Sequence, residues 1–316
     1  MMTEIGIFLS SEENGPRPLV EFGRQAEAAG FTKVMISDHY HPWIERQGQS
    51  PFVWAVIGGL AATTSLEVTT GVTCPTVRIH PAVLAQAAAT AALMLDGRFR
   101  FGVGSGEALN EHILGDRWPA PNERLEMLEE AVEVMRRLWE GAVVDHRGRH
   151  YRVVGARVYS LPDTPPPMLI SGFGPESTAL AARIGDRYVG TSPEPDLVRQ
   201  YARDGGAGPK VGLMKVCWGP DEHKAARLAH EMWPTTGVPG QLNQELAMPA
   251  HFEQAAANVT EDQVTSTITC GPDPEAYVEA IRRYVDAGYD ELFVAQVGPD
   301  LEGFLRFYRA EVEPRL

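Results

Sequence analysis

The 316-residue sequence has few cysteines, no long apolar run and no surplus of basic residues. Its three cysteines are far apart and show no CxxC or other metal-type spacing. They therefore indicate neither a disulfide framework nor a zinc ribbon, and a reducing cytoplasm fits them. No apolar run approaches the roughly 20 residues of a membrane-spanning helix. The formal net charge of −14 argues against nucleic acid or an anionic membrane as the main partner.

What is present is an ordinary globular composition, 44% hydrophobic and 22% charged. The residues before the first apolar run are few and acidic, and they lack the basic flank of a secretory signal peptide. We therefore expect a cytoplasmic protein whose partner is a small molecule, with no nucleic acid and no membrane.

Short β-like runs alternate with longer helical runs along most of the chain. The predicted strands span residues 5–9, 33–37, 66–72, 98–103, 168–171, 188–191, 210–218 and 291–297. The predicted helices span residues 19–29, 52–62, 81–95, 123–139, 176–184, 196–202, 221–232, 275–287 and 301–312. This alternation is typical of a parallel sheet covered by helices. About eight such units in about 300 residues favour a closed (β/α)8 TIM barrel over an open sheet.

Two segments interrupt the alternation. Residues 143–158 alternate polar and apolar side chains around Arg147-Gly148, which predicts an inserted hairpin. Residues 234–260 are rich in proline, glutamine and asparagine, which predicts an irregular or helical insertion. Because the sequence shows no internal repeat, low-complexity tract or linker, we expect a single domain over residues 1–316.

The segment from Asp38 to Trp43 follows the second predicted strand and carries a carboxylate, two imidazoles and an indole. In a barrel of this kind the chemistry lies where strands end and helices begin. Imidazole exchanges protons near neutral pH, and indole offers a flat face and one N–H donor. With His39 directly at the strand exit, this combination suits proton and hydride chemistry beside an aromatic cofactor. The alternative is a polar loop with a stacked tryptophan.

Polar residues and glycines also gather at other predicted strand exits. Gly104-Ser105-Gly106-Glu107 follows the strand over residues 98–103 and brings a carboxylate to the rim that carries His39. Glu107 and His39 would face each other there as a donor–acceptor pair. The alternative is a glycine-rich turn with a helix-capping glutamate. Further exits carry Ser10-Ser11-Glu12, Thr191-Ser192 and Gln296.

Two glycine-containing turns could contact a flat, phosphorylated ligand. Ser171-Gly172-Phe173-Gly174-Pro175 precedes a predicted helix, whose free backbone N–H groups would attract a cofactor phosphate, unless the segment is an ordinary βα turn. Gly71-Val72-Thr73-Cys74-Pro75 could support a planar ring through its backbone. We expect Cys74 to be a small wall residue and not a nucleophile, because no basic group adjoins it in sequence.

His39 and His41 resemble the paired imidazoles of metal-dependent barrel hydrolases. Zinc would need one or two further ligands at other strand ends, and none of the other histidines directly follows a predicted strand. We therefore expect no metal site.

Five segments together resemble the luciferase-like flavin and deazaflavin oxidoreductases, and within them the coenzyme F420-dependent glucose-6-phosphate dehydrogenase branch. The similarity runs nearly end to end, and the segments are residues 37–43, 71–76, 80–87, 104–111 and 174–175. The resemblance implies a TIM barrel, often a homodimer, with coenzyme F420 lying across the carboxyl-terminal rim. FMN is the alternative cofactor.

The resemblance also implies roles for the matching residues. Asp38 would hydrogen-bond the deazaflavin ring, and His39 would be the base on the substrate hydroxyl. Trp43 would stabilise charge beside the reacting centre, and Glu107 would exchange a proton with the reduced ring. Glu12 would be a further active-site carboxylate. The other implied cofactor contacts are a cis peptide bond between Gly71 and Val72, and the residues Cys74, Gly106, Asn110, Gly172, Phe173, Gly174 and Thr191.

One departure from this branch concerns the substrate. Two lysines and an arginine hold the sugar phosphate in the glucose-6-phosphate enzymes, and by alignment those positions here are Glu194, Gln254 and Ser266. A cationic clamp has become acidic and neutral, and Glu194 would repel a phosphate dianion, although Arg199 or Lys215 could compensate. We therefore expect a neutral alcohol, aldehyde, ketone or activated alkene as substrate, and not glucose 6-phosphate.

Three functions stay open at this point. The first is an F420-dependent dehydrogenase or reductase that moves a hydride between the deazaflavin and an alcohol or carbonyl compound. The second is an FMN-dependent monooxygenase of the luciferase type. The third is a non-catalytic deazaflavin-binding protein. His39, Trp43 and Glu107 together argue against the third, because binding alone needs no proton-transfer group.

Overall fold

The computed structural model describes residues 3–316 as alternating strands and helices. The strands are β1 (Glu4–Leu9), β2 (Lys33–Ile36), β3 (Glu67–Thr70), β4 (Phe99–Val103), β5 (Val144–Arg147), β6 (Arg152–Ala156), β7 (Met168–Ser171), β8 (Arg187–Gly190), β9 (Lys210–Cys217), β10 (Thr269–Cys270) and β11 (Glu291–Gln296). The α-helices are α1 (Pro16–Ala28), α2 (Val53–Thr63), α3 (Pro81–Met94), α4 (Ala108–Glu111), α5 (Pro121–Trp139), α6 (Pro175–Ile184), α7 (Pro195–Arg203), α8 (Glu222–Met232), α9 (Leu242–Glu245), α10 (Pro249–Ala255), α11 (Glu261–Thr265), α12 (Pro274–Ala287) and α13 (Leu301–Phe307).

The strands close into a parallel barrel. Their hydrogen-bonded order is β1, β2, β3, β4, β7, β8, β9, β11 and back to β1. The short strand β10 pairs with the carboxyl end of β9. The predicted (β/α)8 TIM barrel is therefore confirmed, and every strand of the barrel delivers its carboxyl end to one rim.

Apolar side chains fill the middle of the barrel, which explains the apolar residues in the strands. Charged residues at the amino-terminal strand ends pair with one another, as Lys33 does with Glu291 at 3.1 Å. The cluster in the middle of the barrel consists of Phe8, Met35, Leu169, Val189, Val211, Phe293 and Ala295. Outward-facing residues of the same strands, such as Ile7, Val34 and Met214, join the larger core beneath the helices. Both faces of β2 and β11 are buried throughout.

Capping residues, glycines and charged side chains mark the ends of the helices. The side chain of Asp273 caps the start of α12 by accepting the backbone N–H of Glu275 at 3.0 Å, and Gly288 ends the helix with φ +97°. In α5, Glu123 lies in the first turn and Arg136 and Arg137 in the last, which complements the helix dipole. These signals explain why most predicted boundaries lie within two residues of the observed ones.

Both predicted insertions are present. The hairpin is the antiparallel pair β5–β6, and the region over residues 234–260 contains a 3₁₀ turn (Pro234–Gly237), α9 and α10. The sequence analysis missed α4, α11 and β10, because elements of two to five residues are too short to show a period. It also extended the last helix too far, since α13 gives way to a π-helical turn over Tyr308–Val312.

Within residues 3–316, the structure has no helix with the length and apolar character needed to traverse a lipid bilayer.

Candidate active site

A cavity opens at the carboxyl-terminal rim of the barrel. Of the residues to which the sequence analysis gave a catalytic or cofactor-binding role, those lining it are Asp38, Val72, Cys74, Gly106, Glu107, Asn110 and Phe173. Glu12, His39 and Trp43 lie outside this lining, and Asn110 connects His39 to it. Gly71, Gly172, Gly174 and Thr191 do not line the cavity either.

His39 pairs with Glu12 beside the cavity. The Nε2 atom of His39 is 3.4 Å from a carboxylate oxygen of Glu12, and their side chains are only 10% and 4% exposed. The other carboxylate oxygen accepts hydrogen bonds from the hydroxyls of Ser10 (2.9 Å) and Ser37 (2.7 Å). Burial by itself would raise the pKa of Glu12, but His39 and the two hydroxyls outweigh it and hold the pKa below its usual value. An ionised Glu12 can therefore stabilise a proton taken up by the imidazole.

Two groups lie against Nδ1 of His39: the backbone carbonyl of His41, at 3.2 Å, and the side chain of Asn110 in α4. The side-chain oxygen of Asn110 accepts the backbone N–H groups of Tyr40 (2.8 Å) and His41 (3.2 Å), which turns its NH₂ group toward Nδ1 of His39 at 3.2 Å. The same NH₂ group lies 3.4 Å from a carboxylate oxygen of Glu107. Glu107 and His39 are thus not in direct contact in the described chain, and their expected role as a donor–acceptor pair stays a prediction. The carboxylate in contact with the ring is Glu12, and Asn110 stands between His39 and Glu107.

Asp38 belongs to a buried ionic cluster that the sequence analysis missed. Its carboxylate accepts hydrogen bonds from the hydroxyl of Thr73 (2.7 Å) and the guanidinium of Arg78 (2.9 Å). Glu111 accepts the backbone N–H of Arg78 at 2.6 Å, and a second ion pair links their side chains at 3.4 Å. Burial raises the pKa of Glu111 despite these bonds. The sequence signal was present, because Glu111 ends one of the five matching segments.

Cys74 forms part of the cavity wall. Its thiol is buried and lies 2.9 Å from the hydroxyl of Thr76, and burial together with the Glu111 carboxylate raises the pKa of the thiol well above its usual value. The thiol is thus not activated as a nucleophile. Gly106 adjoins it with φ +84°, and a Cβ there would lie 2.4 Å from the Cys74 sulfur, so only glycine fits this turn. The peptide bond between Gly71 and Val72 is cis.

Trp43 contacts both His39 and the second insertion. Its ring centroid lies 5.0 Å from that of His39, at an interplanar angle of 55°, and 5.2 Å from Phe252 of α10 in an edge contact. Gln244 of α9 lines the cavity. The sequence analysis did not assign Phe252 or Gln244 to the site, because nothing in the composition of an irregular insertion tells where it folds back.

The turn before α6 differs from expectation. The backbone N–H groups of Phe173 and Gly174, which were expected to be free for a phosphate, both donate to the hydroxyl of Ser177, at 3.1 and 3.2 Å. The phenyl ring of Phe173 is half exposed at the cavity edge. A Cβ built on Gly174 would meet no atom within 4 Å, so the space at the start of this helix is open.

The positions aligned with the phosphate clamp lie on the surface. Glu194, Gln254 and Ser266 are exposed, and none of them lines the cavity. Of the two cations that could compensate, Arg199 pairs with Asp196 on the exposed surface of α7. Lys215 lies with its ammonium 4.3 Å from the centroid of the Trp233 ring.

Lys215 is the cation near the Glu12 carboxylate. Burial lowers the pKa of its ammonium, although Glu12 and Glu13 oppose the shift. The indole N–H of Trp233 donates to Glu13 at 2.7 Å, and burial raises the pKa of Glu13. Two carboxylates and one ammonium leave this part of the site without a surplus of positive charge.

The two histidines of the His39-x-His41 pattern do not converge. Nδ1 of His41 is 2.8 Å from the backbone carbonyl of Leu109, and its ring stacks on His112 at 5.7 Å. Within residues 3–316 no group of three or more metal-ligating side chains comes together.

Comparison with known proteins identifies a family, curated relatives and a solved structure that this chain is similar to. Residues 1–291 match the luciferase-like monooxygenase family. The F420-dependent glucose-6-phosphate dehydrogenase of Microbacterium testaceum is 36% identical over 98% of this chain and 96% of its own length. That of Segniliparus rotundus is 34% identical over 99% and 98%. Among solved structures, an F420-dependent secondary alcohol dehydrogenase in complex with an F420–acetone adduct has a TM-score of 0.92 and 31% identity, covering 99% of both chains.

Proposed function

Because the chain belongs to the luciferase-like monooxygenase family, we propose that it is a coenzyme F420-dependent oxidoreductase. It moves a hydride between the deazaflavin and a small secondary alcohol or its ketone. The observation that carries this proposal is the buried His39–Glu12 pair, which Asn110 links to Glu107 and the rim cavity. The likeness to a secondary alcohol dehydrogenase, and the F420-dependent activity of the relatives, support it.

The chemistry of the cavity lining suits the edge of a flat, partly polar ring. Val72, Cys74 and Gly106 form a wall with little side-chain bulk, and Glu107 and Asn110 add polar groups. The open space at Gly174 leaves room for the rest of a long cofactor. When bound, a deazaflavin accepts or supplies a hydride at carbon. Asp38, Val72, Cys74, Gly106, Asn110 and Phe173 would hold it.

His39 transfers the proton in the proposed reaction, and Glu12 stabilises the charge that forms on it. In alcohol oxidation, His39 accepts the hydroxyl proton as the hydride leaves the carbon, and the ionised Glu12 stabilises the resulting imidazolium. In ketone reduction, the imidazolium returns that proton to the oxygen. The Nδ1–H group of His39 donates to the backbone carbonyl of His41, 3.2 Å away, in both protonation states. Nε2, beside Glu12, is then the atom that takes up or returns the proton, and Trp43 packs against the ring.

The first test concerns the cofactor. We expect the purified protein to quench F420 fluorescence with a roughly micromolar dissociation constant and to bind FMN far more weakly. Fluorescence titration with each cofactor measures both. Tight FMN binding without F420 binding would favour the alternative, an FMN-dependent monooxygenase. F420 binding without turnover on any alcohol or carbonyl compound would favour a binding protein.

The second test concerns the substrate. With F420 in the assay, we expect turnover of 2-propanol or acetone, and a kcat/KM for glucose 6-phosphate at least about 100-fold lower. Each charge-assisted hydrogen bond to a phosphate contributes roughly tenfold or more, and Glu194, Gln254 and Ser266 offer no cation. Efficient turnover of the sugar phosphate would show that Lys215 or another cation replaces the clamp.

We also propose a homodimer formed through the outer faces of α2 and α3. An apolar groove between these helices is lined by Trp54, Ile57, Val83, Ala87 and Met94, among others. Val83 is 57% exposed and the adjoining Phe52 60%. α2 contains no charged residue. Large apolar patches of this kind typically mark protein interfaces, and a second copy of the chain is the proposed occupant.

Light scattering after size-exclusion chromatography tests the dimer. We expect a dimer for the wild type and a monomer for Val83→Glu, because a carboxylate would lose its hydration in the interface. The control is Val154→Glu on the exposed hairpin strand β6, which should leave the dimer intact. A monomeric wild type, or a dimer in both variants, would contradict this interface.

The single domain over residues 1–316 and the cytoplasmic location stay predictions. The pairing of the first barrel strand, β1, with the last, β11, supports the single domain.

A further inference from the structure

Arg124 is a fully buried arginine that anchors the second insertion. It lies in α5, is 1% exposed, and donates to the backbone carbonyl of Pro119 at 2.8 Å. Both of its terminal nitrogens lie 3.0 Å from one carboxylate oxygen of Glu245, and one of them donates to the side-chain oxygen of Gln244 at 3.1 Å. The guanidinium also lies over the ring of Trp118, 4.5 Å from its centroid. Arginine is almost never buried to this degree unless paired.

The segment that Arg124 holds reaches both parts of the site. Gln244 and Glu245 belong to α9, a helix of four residues that cannot be stable without tertiary contacts. Gln244 lines the rim cavity together with Glu107 and Asn110. Leu246, which follows α9, packs on the apolar cluster that Trp43 also contacts. Fixing this short segment therefore closes one side of the cavity.

We propose that Arg124 is a positioning residue that holds α9 over the cofactor cavity and thereby slows the release of the deazaflavin. This inference rests on the proposed function, since it takes the cavity to be the cofactor site. Arg124 has no hydrogen bond to His39, Glu12 or Glu107 in the described chain, so the chemical step should depend on it less than cofactor retention does. Gln244 and Glu245 are the groups through which it acts.

The experiment compares F420 binding and release in four proteins. They are the wild type, Arg124→Met, Glu245→Gln and the control Arg117→Met, whose arginine forms an exposed pair with Glu123 at 2.8 Å in the same region. Fluorescence titration gives the dissociation constant, and stopped-flow dilution gives the release rate. Thermal melting followed by circular dichroism checks the fold, and Arg124→Lys tests whether a charge alone restores the anchor.

For Arg124→Met we expect the release rate and the dissociation constant of F420 to rise about tenfold or more, as expected for losing several charge-assisted bonds. The kcat at saturating F420 should change less than the KM for F420. Glu245→Gln, which keeps the buried arginine, should show a smaller rise in the same direction, and Arg117→Met none. Because Glu245 is partly exposed, this variant keeps the test available if Arg124→Met does not fold.

The outcomes separate the two proposals. If the wild type does not bind F420, the proposed function fails, and this inference fails with it. If the wild type binds F420 but Arg124→Met and Glu245→Gln release it at rates within twofold of the wild type, only the positioning role is wrong. A lower melting temperature with unchanged release would likewise assign Arg124 a purely structural role.

Discussion

Replacing His39 with alanine is expected to lower kcat for alcohol oxidation and for ketone reduction by about 100- to 10,000-fold, the range for a general acid–base group. The affinity for F420 should change little, since His39 does not line the cavity where the cofactor would bind. Steady-state kinetics at saturating F420 measure the first quantity, and fluorescence titration measures the second.

The matched control for this variant is His41→Ala. His41 lies two residues further along the same loop, but its ring bonds the carbonyl of Leu109 and stacks on His112. Its loss should therefore affect kcat far less than the loss of His39. Equal effects of the two substitutions would mean that the loop as a whole, and not the imidazole of His39, carries the activity.

Glu12 accounts for why one histidine is suited to this role and the other is not. Of these two histidines, only His39 has a carboxylate within 4 Å of its ring, and that carboxylate has its pKa held below the usual value. The sequence placed both histidines at the same strand exit. The distinction depends on Ser10 and Ser37, whose hydroxyls orient Glu12 from the ends of two neighbouring strands. Such a contact between strand exits cannot be derived from spacing along one chain segment.

Most of the barrel follows from local patterns. Apolar runs, proline at helix starts and capping aspartates are short-range signals, and the observed strands and helices lie close to the predicted ones. The rim was predictable in the same way, because each strand exit is marked by glycine or polar residues. What the sequence could not show is how these exits meet, as with the Asn110 amide between His39 and Glu107.

The second insertion shows the same limit more strongly. Its sequence predicts only an irregular or helical segment, and its helices are four and seven residues long. Their positions are set by long-range contacts, from Arg124 to Glu245 and from Trp43 to Phe252. The wall that these residues add to the site therefore becomes visible only in three dimensions.

Replacing Arg78 with methionine should cause the largest loss of stability among single substitutions at the rim. Arg78 lies between the buried carboxylates of Asp38 and Glu111, and its removal leaves two buried negative charges without a partner. Breaking such a pair typically costs about 3–5 kcal/mol, which corresponds to a melting temperature lower by roughly 10 °C. Thermal and chemical unfolding of both proteins at the same pH measure the difference.

The pH dependence of this loss distinguishes an ionic cause from a packing defect. Burial already raises the pKa of Glu111, so the folded state binds more protons than the unfolded state between the ordinary and the raised value. The free energy of unfolding falls as the pH rises through that interval. Because Arg78 lowers the pKa of Glu111, its removal raises that pKa further and widens the interval. The deficit of Arg78→Met should therefore be larger at pH 8 than at pH 5. Arg24→Met, which breaks an exposed pair with Glu21, should melt like the wild type at both pH values. A deficit independent of pH would mean that Arg78 contributes packing, and that the buried carboxylates do not need its charge.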